Sequence, residues 1–413
     1  MRITGVNKNF DVEVDLVGSK SESNRVLMIG YYGGFTPRVK NLSTSDDTKL
    51  LNEILLSLNN PKNPKNPKDP KDPTILDCHN AGTVLRFLAT ALAFREGEWI
   101  LTGSDRMLQR PVGDLVDALR TMGAKIDYVG NDGFPPLQIH GVGTRRTTSD
   151  VNVDITNSSQ FASSILLAKP SHIHLDGDLS SLPYIDMTID IMCHFSAHVK
   201  RDGRDIFVQS SDYQDVEYTV ESDWTCASYW YEMVAFSENG RVRLHNLHLD
   251  SKQGDAIVAK WFEQFGVKSI QDGNDVIIEK ISVRTDRVCP FDFINNPDLY
   301  PTIAATCAGL GVEGRFTGLR NLKLKESDRV AAMVSELSKV GTDRVCPQNR
   351  VSPSVFNSHD DHRITMALTP LAMKIGAIEI DNADVVSKSY PNFWKDIQNV
   401  ISTEAKRNGE ILH

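Results

Sequence analysis

The sequence lacks the C-x-x-C pairs that mark zinc sites and redox motifs. Its six cysteines are instead scattered along the chain, at Cys78, Cys193, Cys226, Cys289, Cys307 and Cys346. We therefore expect reduced structural thiols, with neither a disulfide framework nor a metal site. Long apolar runs are also missing. The longest apolar-rich stretch, 87–94, cannot cross a bilayer, and the first residues contain no signal-peptide core. These absences predict a cytoplasmic protein with no membrane partner.

An excess of positive charge is missing too. The formal net charge is -9. A protein that binds nucleic acid through its phosphates needs a basic face, so nucleic acid is not an expected partner. What is present is a globular composition, with 40% hydrophobic and 24% charged residues. A length of 413 residues favours two domains.

An amphipathic helix followed by two short strands recurs about every seventy residues. Such helices are predicted to begin near Asp114, Asp186, Asp255 and Asp328. The same period reaches back to 45–58 and forward to 392–401, giving six units of which the last lacks its strands. The alternating segment around Val12, Val14 and Leu16 could supply them if the chain ends meet. That predicts a domain built from both termini, although many α/β proteins alternate helix and strand at similar spacing.

A proline-rich run interrupts this pattern at residues 59–73, which read NNPKNPKNPKDPKDP. Proline cannot continue a helix or a central strand. The run is therefore predicted to be an extended, solvated loop with no part in a functional site.

Polar and cationic residues gather where helices are predicted to begin. The segments are GSKSESNR (18–25), NAGT (80–83), QRPVGDL (109–115), SSQF (158–161), LPYID (182–186), NPDLYP (296–301), LKESDR (324–329), DDHR (360–363) and VSKSYPNFW (386–394). A helix N-terminus has unpaired N–H groups and a partial positive charge, so it favours phosphate and carboxylate. Each segment alone could be an ordinary cap or a solvated arginine. Together they predict a polyanionic ligand.

In this order, the motifs resemble the 5-enolpyruvylshikimate-3-phosphate synthase family over most of the chain. The resemblance implies an α/β fold in which six βαβαββ units form a two-domain inside-out α/β barrel, the enolpyruvyl transferase fold. It also implies helix N-termini that face an interdomain cleft. We place one domain at 19–221 and the other at 1–18 plus 222–413, completed by the N-terminal strand.

The resemblance further implies a reaction and the residues that perform it. The enolpyruvyl group of phosphoenolpyruvate would move to the 5-hydroxyl of shikimate 3-phosphate, in the shikimate pathway to chorismate and aromatic amino acids. Shikimate 3-phosphate would be bound by Lys20, Ser21, Arg25, Ser158, Ser159, Ser181, Tyr184, Asp298 and Lys325. Phosphoenolpyruvate would be bound by Lys20, Gly82, Arg110, Gln160, Arg329, Arg363 and Lys388.

Addition followed by elimination needs an acid and a base, and the candidates are Asp298, Glu326, Lys20 and His362. Glu326 could instead be only a helix cap. No cofactor is expected, because the enol phosphate of the substrate supplies the reactivity. The expected partners are the two small-molecule substrates, and the expected state is a monomer.

Two other functions are compatible with parts of this pattern. The related enolpyruvyl transferase that acts on UDP-N-acetylglucosamine usually carries a cysteine before its RPV sequence, where this chain reads SDRMLQRPV. A catalytically inactive binding or scaffold protein would not need every charged position of the pattern, yet all are filled. One departure from the family pattern is DWTCASYWYE at 223–232, which replaces a run of smaller residues.

Overall fold

The computed structural model describes residues 1–59, 73–143, 150–282, 288–340, 354–404, 406–407 and 410–411. Most of the proline-rich run predicted to be an inert loop lies outside these residues. The chain divides into two compact units. The terminal unit, which carries both chain ends, comprises Met1–Ser19, Thr44–Asp46 and Glu221–His413. The central unit comprises Lys20–Ser43 and Asp47–Val220.

The α-helices follow one another along the chain as α1 (Lys20–Gly33), α2 (Asp46–Asn59), α3 (Gly82–Ala93), α4 (Gly113–Thr121), α5 (Gln160–Leu167), α6 (Leu182–His194), α7 (Trp224–Phe236), α8 (Val258–Phe262), α9 (Tyr300–Leu310), α10 (Arg329–Ser338), α11 (His362–Leu368), α12 (Ala372–Ile375) and α13 (Phe393–Asp396). Short 3-10 helices lie at Met107–Gln109, Gly254–Ile257, Glu263–Phe265, Pro297–Leu299, Arg320–Leu324, Thr369–Leu371, Ala383–Lys388 and Ile397–Asn399. Of the helices described, none has the length and apolar character to cross a membrane.

The strands are β1 (Arg2–Val6), β2 (Asn9–Val14), β3 (Val39–Lys40), β4 (Thr74–Asp77), β5 (Gly97–Thr102), β6 (Lys125–Tyr128), β7 (Leu137–Gly141), β8 (Asp150–Asp154), β9 (His172–Asp176), β10 (His198–Asp202), β11 (Asp205–Gln209), β12 (Tyr218–Thr219), β13 (Asn239–Leu244), β14 (Val267–Asp272), β15 (Asp275–Lys280), β16 (Val288–Asp292), β17 (Glu313–Thr317), β18 (Ser354–Phe356), β19 (Ile378–Ile380), β20 (Ile401–Glu404), β21 (Lys406–Arg407) and β22 (Glu410–Ile411).

One strand arrangement recurs in both units. Four-stranded sheets with the orders β4-β5-β7-β6, β8-β9-β11-β10, β2-β13-β15-β14 and β18-β19-β1-β20 each begin with a parallel pair and continue with antiparallel strands. The pairs β3/β12 and β16/β17 are also parallel. A helix between two parallel strands is the usual right-handed crossover of α/β proteins. The α/β class predicted from the sequence is confirmed.

The N-terminal strands pair differently from the prediction. β2, which contains Val12 and Val14, runs parallel to β13, with Val12 opposite Val242. β1 instead joins the sheet near the other chain end, antiparallel to β19 and β20. The predicted helix at 392–401 is short, because a 3-10 turn follows α13 and β20 begins at Ile401. Residue alternation identifies a strand, but the partner is chosen by tertiary packing.

Asp and Asn side chains shape the turn after the first strand of several repeats. An Oδ1 atom accepts a hydrogen bond from the backbone N–H two residues on, at 2.6–3.1 Å, in the pairs Asp77–His79, Asp154–Thr156, Asp292–Ile294 and Asn357–His359. Such Asx turns redirect the chain without requiring a backbone partner. They bring each strand into the start of the following helix, where the polar motifs lie.

Each unit has its own hydrophobic core. The largest buried side chains of the central core include Trp99, Phe87 and Phe161. Those of the terminal core include Trp224 and Trp230 on α7. Burying an aromatic side chain removes a large apolar area from water, so these residues fix the scaffold on which the helix starts are held.

Helix α7 also buries a carboxyl group. All residues of α7 are buried, and Glu232 lies in the core with them. Neither of its carboxyl oxygens has a hydrogen-bond partner among the described residues. Burial raises the pKa of Glu232 well above its usual value, which favours the protonated carboxyl in the folded chain. In the unfolded chain it ionises above about pH 4.3.

We expect Glu232→Met to remove a pH dependence of stability. Above about pH 4.3 the unfolded wild type binds fewer protons than the folded form, so its free energy of unfolding falls by up to about 1.4 kcal/mol per pH unit. Urea unfolding followed by tryptophan fluorescence between about pH 5 and pH 8 measures this. The stability gap between variant and wild type should widen with pH, and Glu232→Gln should give the same slope. A gap independent of pH would show that Glu232 is ionised in the folded chain.

Candidate active site

The polar motifs lie at helix starts in both units, where the sequence predicted them. In the central unit α1 begins at Lys20, α3 at Gly82 and α5 at Gln160. In the terminal unit α10 begins at Arg329 and α11 at His362. The first N–H groups of each helix have no partner within the helix and carry partial positive charge. The positions therefore favour anions before side chains are considered.

Arg25 on α1 is buried and bonded to neutral groups of the central unit. Its Nε donates to Thr188 Oγ1 at 2.7 Å and its Nη1 to the Ser21 carbonyl at 2.8 Å. Its Nη2 donates to the Tyr184 carbonyl at 3.0 Å and to Ser163 Oγ at 3.2 Å. Burial lowers the pKa of Arg25 to about 10, so the guanidinium stays charged at neutral pH. These uncharged acceptors orient the guanidinium, and the charge of Glu22 acts on it as well.

Two further guanidinium groups flank the start of α3. A Cβ atom built on Gly82 would lie 2.8 Å from both Arg110 Nη2 and Arg86 Nη1. Arg86 Nη1 donates to Gln160 Oε1 at 2.7 Å, and Arg110 Nη1 donates to the Asn80 carbonyl at 3.3 Å. Both arginines are buried. Cationic side chains and helix N–H groups thus meet around Gly82, an arrangement that suits a phosphate or carboxylate.

The other candidates of the central unit lie at the starts of α1, α5 and α6. Lys20 forms an ion pair of 3.0 Å with Asp47, and both side chains are largely buried. Ser158 and Ser159 precede α5, and Ser158 Oγ accepts the backbone N–H two residues on at 3.2 Å. Ser181 precedes α6 with a φ of 54°. A left-handed conformation costs a non-glycine residue on the order of 1 kcal/mol and persists where the surroundings impose it.

Arg329 is the centre of the terminal unit's candidate site. Its Nε and Nη2 donate to the carboxylate of Asp361 at 2.8 and 3.3 Å, and Nη2 also donates to Glu326 Oε2 at 2.8 Å. Its Nη1 donates to Asp298 Oδ1 at 2.7 Å. Burial alone would lower the pKa of Arg329, but these carboxylates raise it above its ordinary value. The guanidinium is permanently charged and its orientation is fixed on three sides.

Asp298 joins Arg329 to a second arginine. Its Oδ2 accepts from Arg363 Nη2 at 2.8 Å, and its Oδ1 lies 3.8 Å from Lys325 Nζ. Burial would raise the pKa of Asp298, but Arg363, Lys325 and Arg329 outweigh it and hold the pKa well below the usual range. Asp298 precedes α9 in the 3-10 helix Pro297–Leu299. We call Lys325, Arg329 and Arg363 with Asp298, Glu326 and Asp361 the Asp298 cluster.

Helices α10 and α11 are capped by Asp328 and Asp361, not by Glu326. Asp328 Oδ1 accepts from the Ala331 N–H at 3.0 Å and caps α10. Asp361 Oδ1 accepts from the Arg363 N–H at 3.0 Å and caps α11. The alternative hypothesis that Glu326 is the cap of α10 is therefore wrong.

The remaining predicted residues of the terminal unit differ in exposure. His362 is completely buried, with its Nδ1 3.7 Å from Asp361 Oδ1. Lys388 is the last residue of the 3-10 helix Ala383–Lys388 and is partly exposed. Lys325 retains a quarter of its side-chain exposure. Lys325 and Lys388 can therefore be approached from solvent, whereas His362 cannot without rearrangement.

Three residues of these sites were not assigned roles from the sequence. Arg86 bonds Gln160, Asp361 holds Arg329, and Asp255 lies buried near Asp298. Burial and the charge of Asp298 raise the pKa of Asp255 to about 6, while Thr225 Oγ1 donates to its Oδ2 at 2.5 Å. The DDHR motif contained a signal for Asp361, because an acidic residue directly before a helix is a typical cap. Asp255 was recognised only as a predicted helix start, and no local pattern gave Arg86 a partner.

Comparisons with known proteins agree with the resemblance seen in the motifs. The family described as "EPSP synthase (3-phosphoshikimate 1-carboxyvinyltransferase)" matches residues 6–397. A 3-phosphoshikimate 1-carboxyvinyltransferase from Bacteroides fragilis (strain YCH46) is 36% identical over 403 residues, which cover 93% of this chain and 94% of the relative. One from Vibrio vulnificus (strain YJ016) is 34% identical over 415 residues, covering 94% and 96%.

Solved structures share the fold at lower sequence similarity. An EPSP synthase from Acinetobacter baumannii, solved at 2.37 Å, superposes with a TM-score of 0.71 and 23% identity, covering 97% of this chain and 99% of the other. Another structure of EPSP synthase from the same organism gives a TM-score of 0.72 at 22% identity, covering 98% and 99%. At this identity the likeness establishes the fold alone.

Proposed function

The chain belongs to the EPSP synthase family, and on that premise we propose which of its side chains perform the family's reaction. It is a transferase that moves the enolpyruvyl group of phosphoenolpyruvate to the 5-hydroxyl of shikimate 3-phosphate. The products are 5-enolpyruvylshikimate 3-phosphate and inorganic phosphate, in the shikimate pathway to chorismate and aromatic amino acids.

Arg329 and Arg363 bind the carboxylate of phosphoenolpyruvate. The observation that carries this assignment is that both guanidinium groups already donate to one carboxylate, that of Asp298, at 2.7 and 2.8 Å. Planar guanidinium groups match the two oxygens of a carboxylate, and such charged bonds are stronger than neutral ones. The further phosphoenolpyruvate-binding residues are Lys20, Gly82, Arg110, Gln160 and Lys388.

Arg25 and Ser21 bind the carboxylate of shikimate 3-phosphate. The orientation of the Arg25 guanidinium supports this, because its hydrogen bonds to uncharged acceptors fix its position without forming ion pairs. The 3-phosphate is bound by hydroxyl and ammonium groups, because these donors suit its many acceptor oxygens. The residues of this subsite are Lys20, Ser158, Ser159, Ser181, Tyr184 and Lys325, and Asp298 bonds the 5-hydroxyl.

Proton transfer is assigned to Asp298 and Glu326, with Lys20 and His362 as further candidates. In the addition step the 5-hydroxyl loses a proton while the enol methylene gains one. In the elimination step the new methyl group loses a proton and the C–O bond to phosphate breaks, while the proton taken from the 5-hydroxyl passes to the departing phosphate, so an acid and a base each act twice. The position of Glu326 supports a part in proton transfer, because Arg329 fixes its carboxylate at 2.8 Å and it does not cap a helix. His362 is the least accessible of the four.

The proposal extends to the architecture of six βαβαββ units in a two-domain inside-out α/β barrel, with domains at 19–221 and at 1–18 plus 222–413. Its support is a set of six parallel strand pairs, one for each proposed βαβαββ unit. They are β3/β12, β4/β5, β8/β9, β2/β13, β16/β17 and β18/β19. Repetition places helix N-termini at equivalent positions.

Gly82→Ala is expected to raise the KM for phosphoenolpyruvate by about tenfold while the protein remains stably folded. The added methyl would lie 2.8 Å from the tips of Arg86 and Arg110, so these flexible side chains must move away from the start of α3. Steady-state kinetics with each substrate varied in turn measures the effect, and a thermal melt checks the fold. Unchanged KM for phosphoenolpyruvate would place its binding site elsewhere.

Phosphate release with different acceptors tests the proposed function. Purified full-length chain is incubated with phosphoenolpyruvate and either shikimate 3-phosphate or UDP-N-acetylglucosamine. Release should follow shikimate 3-phosphate alone. Release with UDP-N-acetylglucosamine would indicate the related transferase, and release with neither acceptor would indicate an inactive binding protein.

A further inference from the structure

Asp298 already accepts hydrogen bonds from the two arginines that are assigned to the substrate carboxylate. Its two oxygens accept from different guanidinium groups, Oδ1 from Arg329 and Oδ2 from Arg363. This is the bonding that an incoming carboxylate would make with the same two donors. The side chain retains 16% exposure, so it lies where a ligand entering from solvent could meet it.

The remaining donors of Arg329 face other carboxylates. Its Nε bonds Asp361, and its Nη2 bonds Asp361 and Glu326, all between 2.8 and 3.3 Å. The Nη1 edge is therefore the part of this guanidinium that Asp298 occupies. A ligand that bonds Arg329 without disturbing its buried contacts must approach that edge.

The pairing of charges in the Asp298 cluster also favours replacement of Asp298 by the ligand carboxylate. The Asp298 cluster contains three cationic and three acidic side chains, so it is neutral when all are ionised. A substrate carboxylate that joined Asp298 at these guanidinium groups would place two carboxylates against the same donors in a largely buried place, which is costly. Replacing Asp298 at the guanidinium groups keeps their pairing complete.

We propose that Asp298 is a specificity-determining residue, whose carboxylate holds Arg329 and Arg363 until a ligand carboxylate takes its place. The inference rests on the proposed function, because it concerns the same arginines. Ligands without a carboxylate, or with one too weakly anchored to compete, are excluded by the internal one. A displaced Asp298 loses two cationic neighbours and becomes a stronger base for the 5-hydroxyl proton.

Removal of the internal competitor should tighten binding of phosphoenolpyruvate. A binding-competent state that is populated at about 0.1–10% weakens the apparent affinity by the same fraction. Asp298→Asn is nearly isosteric and removes the charge, so the dissociation constant should fall by about tenfold or more. Calorimetric titration of the full-length chain with phosphoenolpyruvate, without acceptor, measures it. If the Asn variant does not fold, Asp298→Ser should show the same tightening.

Glu326→Gln is the matched control for charge. It removes one negative charge from Arg329 at a similar distance, 2.8 Å, without removing the Asp298 bridge to Arg363. If the ligand carboxylate exchanges with that of Asp298 at the two arginines, this variant should change phosphoenolpyruvate affinity little. Equal tightening in both variants would mean that only net charge matters and would overturn the proposal. Weaker or unchanged binding in Asp298→Asn would overturn it as well, by showing that Asp298 does not compete with the ligand.

Arg363→Gln separates failure of the inference from failure of the proposed function. If it leaves phosphoenolpyruvate binding unchanged in both the wild-type and the Asp298→Asn backgrounds, the arginine assignment itself is wrong. If it weakens binding but Asp298→Asn does not tighten it, the assignment stands and the exchange fails. The exchange predicts weaker binding on loss of Arg363, and a smaller gain from Asp298→Asn once Arg363 is absent.

Discussion

Replacing Glu326 by Gln should lower kcat by roughly 10² or more, while the affinity for shikimate 3-phosphate stays within a few-fold of wild type. Gln keeps the size of the side chain and can still accept the bond from Arg329 Nη2, which is 2.8 Å long in the wild type. It cannot exchange a proton. Steady-state turnover and equilibrium binding of shikimate 3-phosphate together measure the two quantities.

Asp328→Ala is the matched control on the same segment. Asp328 is the residue that caps α10, so its loss should cost about 1 kcal/mol of stability and leave turnover nearly normal. Near-wild-type turnover in Glu326→Gln would transfer the proton-transfer assignment to Lys20, Asp298 and His362. A large loss of stability in that variant would show a structural role instead.

Arg25→Ala and Lys388→Ala should affect opposite substrates. Loss of Arg25 should raise the KM for shikimate 3-phosphate far more than that for phosphoenolpyruvate, and loss of Lys388 should do the reverse. Each change removes a charged contact to one ligand, on the order of 1.5–3 kcal/mol, which is roughly tenfold to 150-fold in affinity. Kinetics with each substrate varied at saturating concentration of the other provides the comparison.

Arg25 needs a stability control because its guanidinium also bonds Thr188, Ser163 and two backbone carbonyls. Thr188→Val removes one of these bonds and leaves the charge, so it should lower the melting temperature without a selective rise in the KM for shikimate 3-phosphate. Equal effects of Arg25→Ala on both substrates would contradict separate subsites. The same holds for Lys388→Ala.

The helix starts could be predicted from the sequence because their signals are local. Gly82 follows an Asn-Ala pair at the start of an apolar helix, and Asp361 directly precedes His362 and Arg363. Capping and turn chemistry act within a few residues, so a short window contains the information. The recurring helices and strands follow from the same short-range periodicity, while the α/β fold itself was implied by the family resemblance.

The partners of these residues could not be predicted, because they lie far apart in the chain. Arg25 bonds Thr188 across 163 positions, and Arg86 bonds Gln160 across 74. Among the described strands, β2 pairs with β13 and not with those near the C-terminus, although its alternation was recognised. Such contacts are selected by packing of complete sheets and helices, for which one sequence has no short-range signal.

A crystal structure of the Glu326→Gln variant with both substrates bound would test the central claim most directly. The account predicts that the carboxylate of phosphoenolpyruvate is bonded to Arg329 and Arg363, and that the carboxylate of shikimate 3-phosphate is bonded to Arg25. Either carboxylate bound away from these guanidinium groups would contradict it.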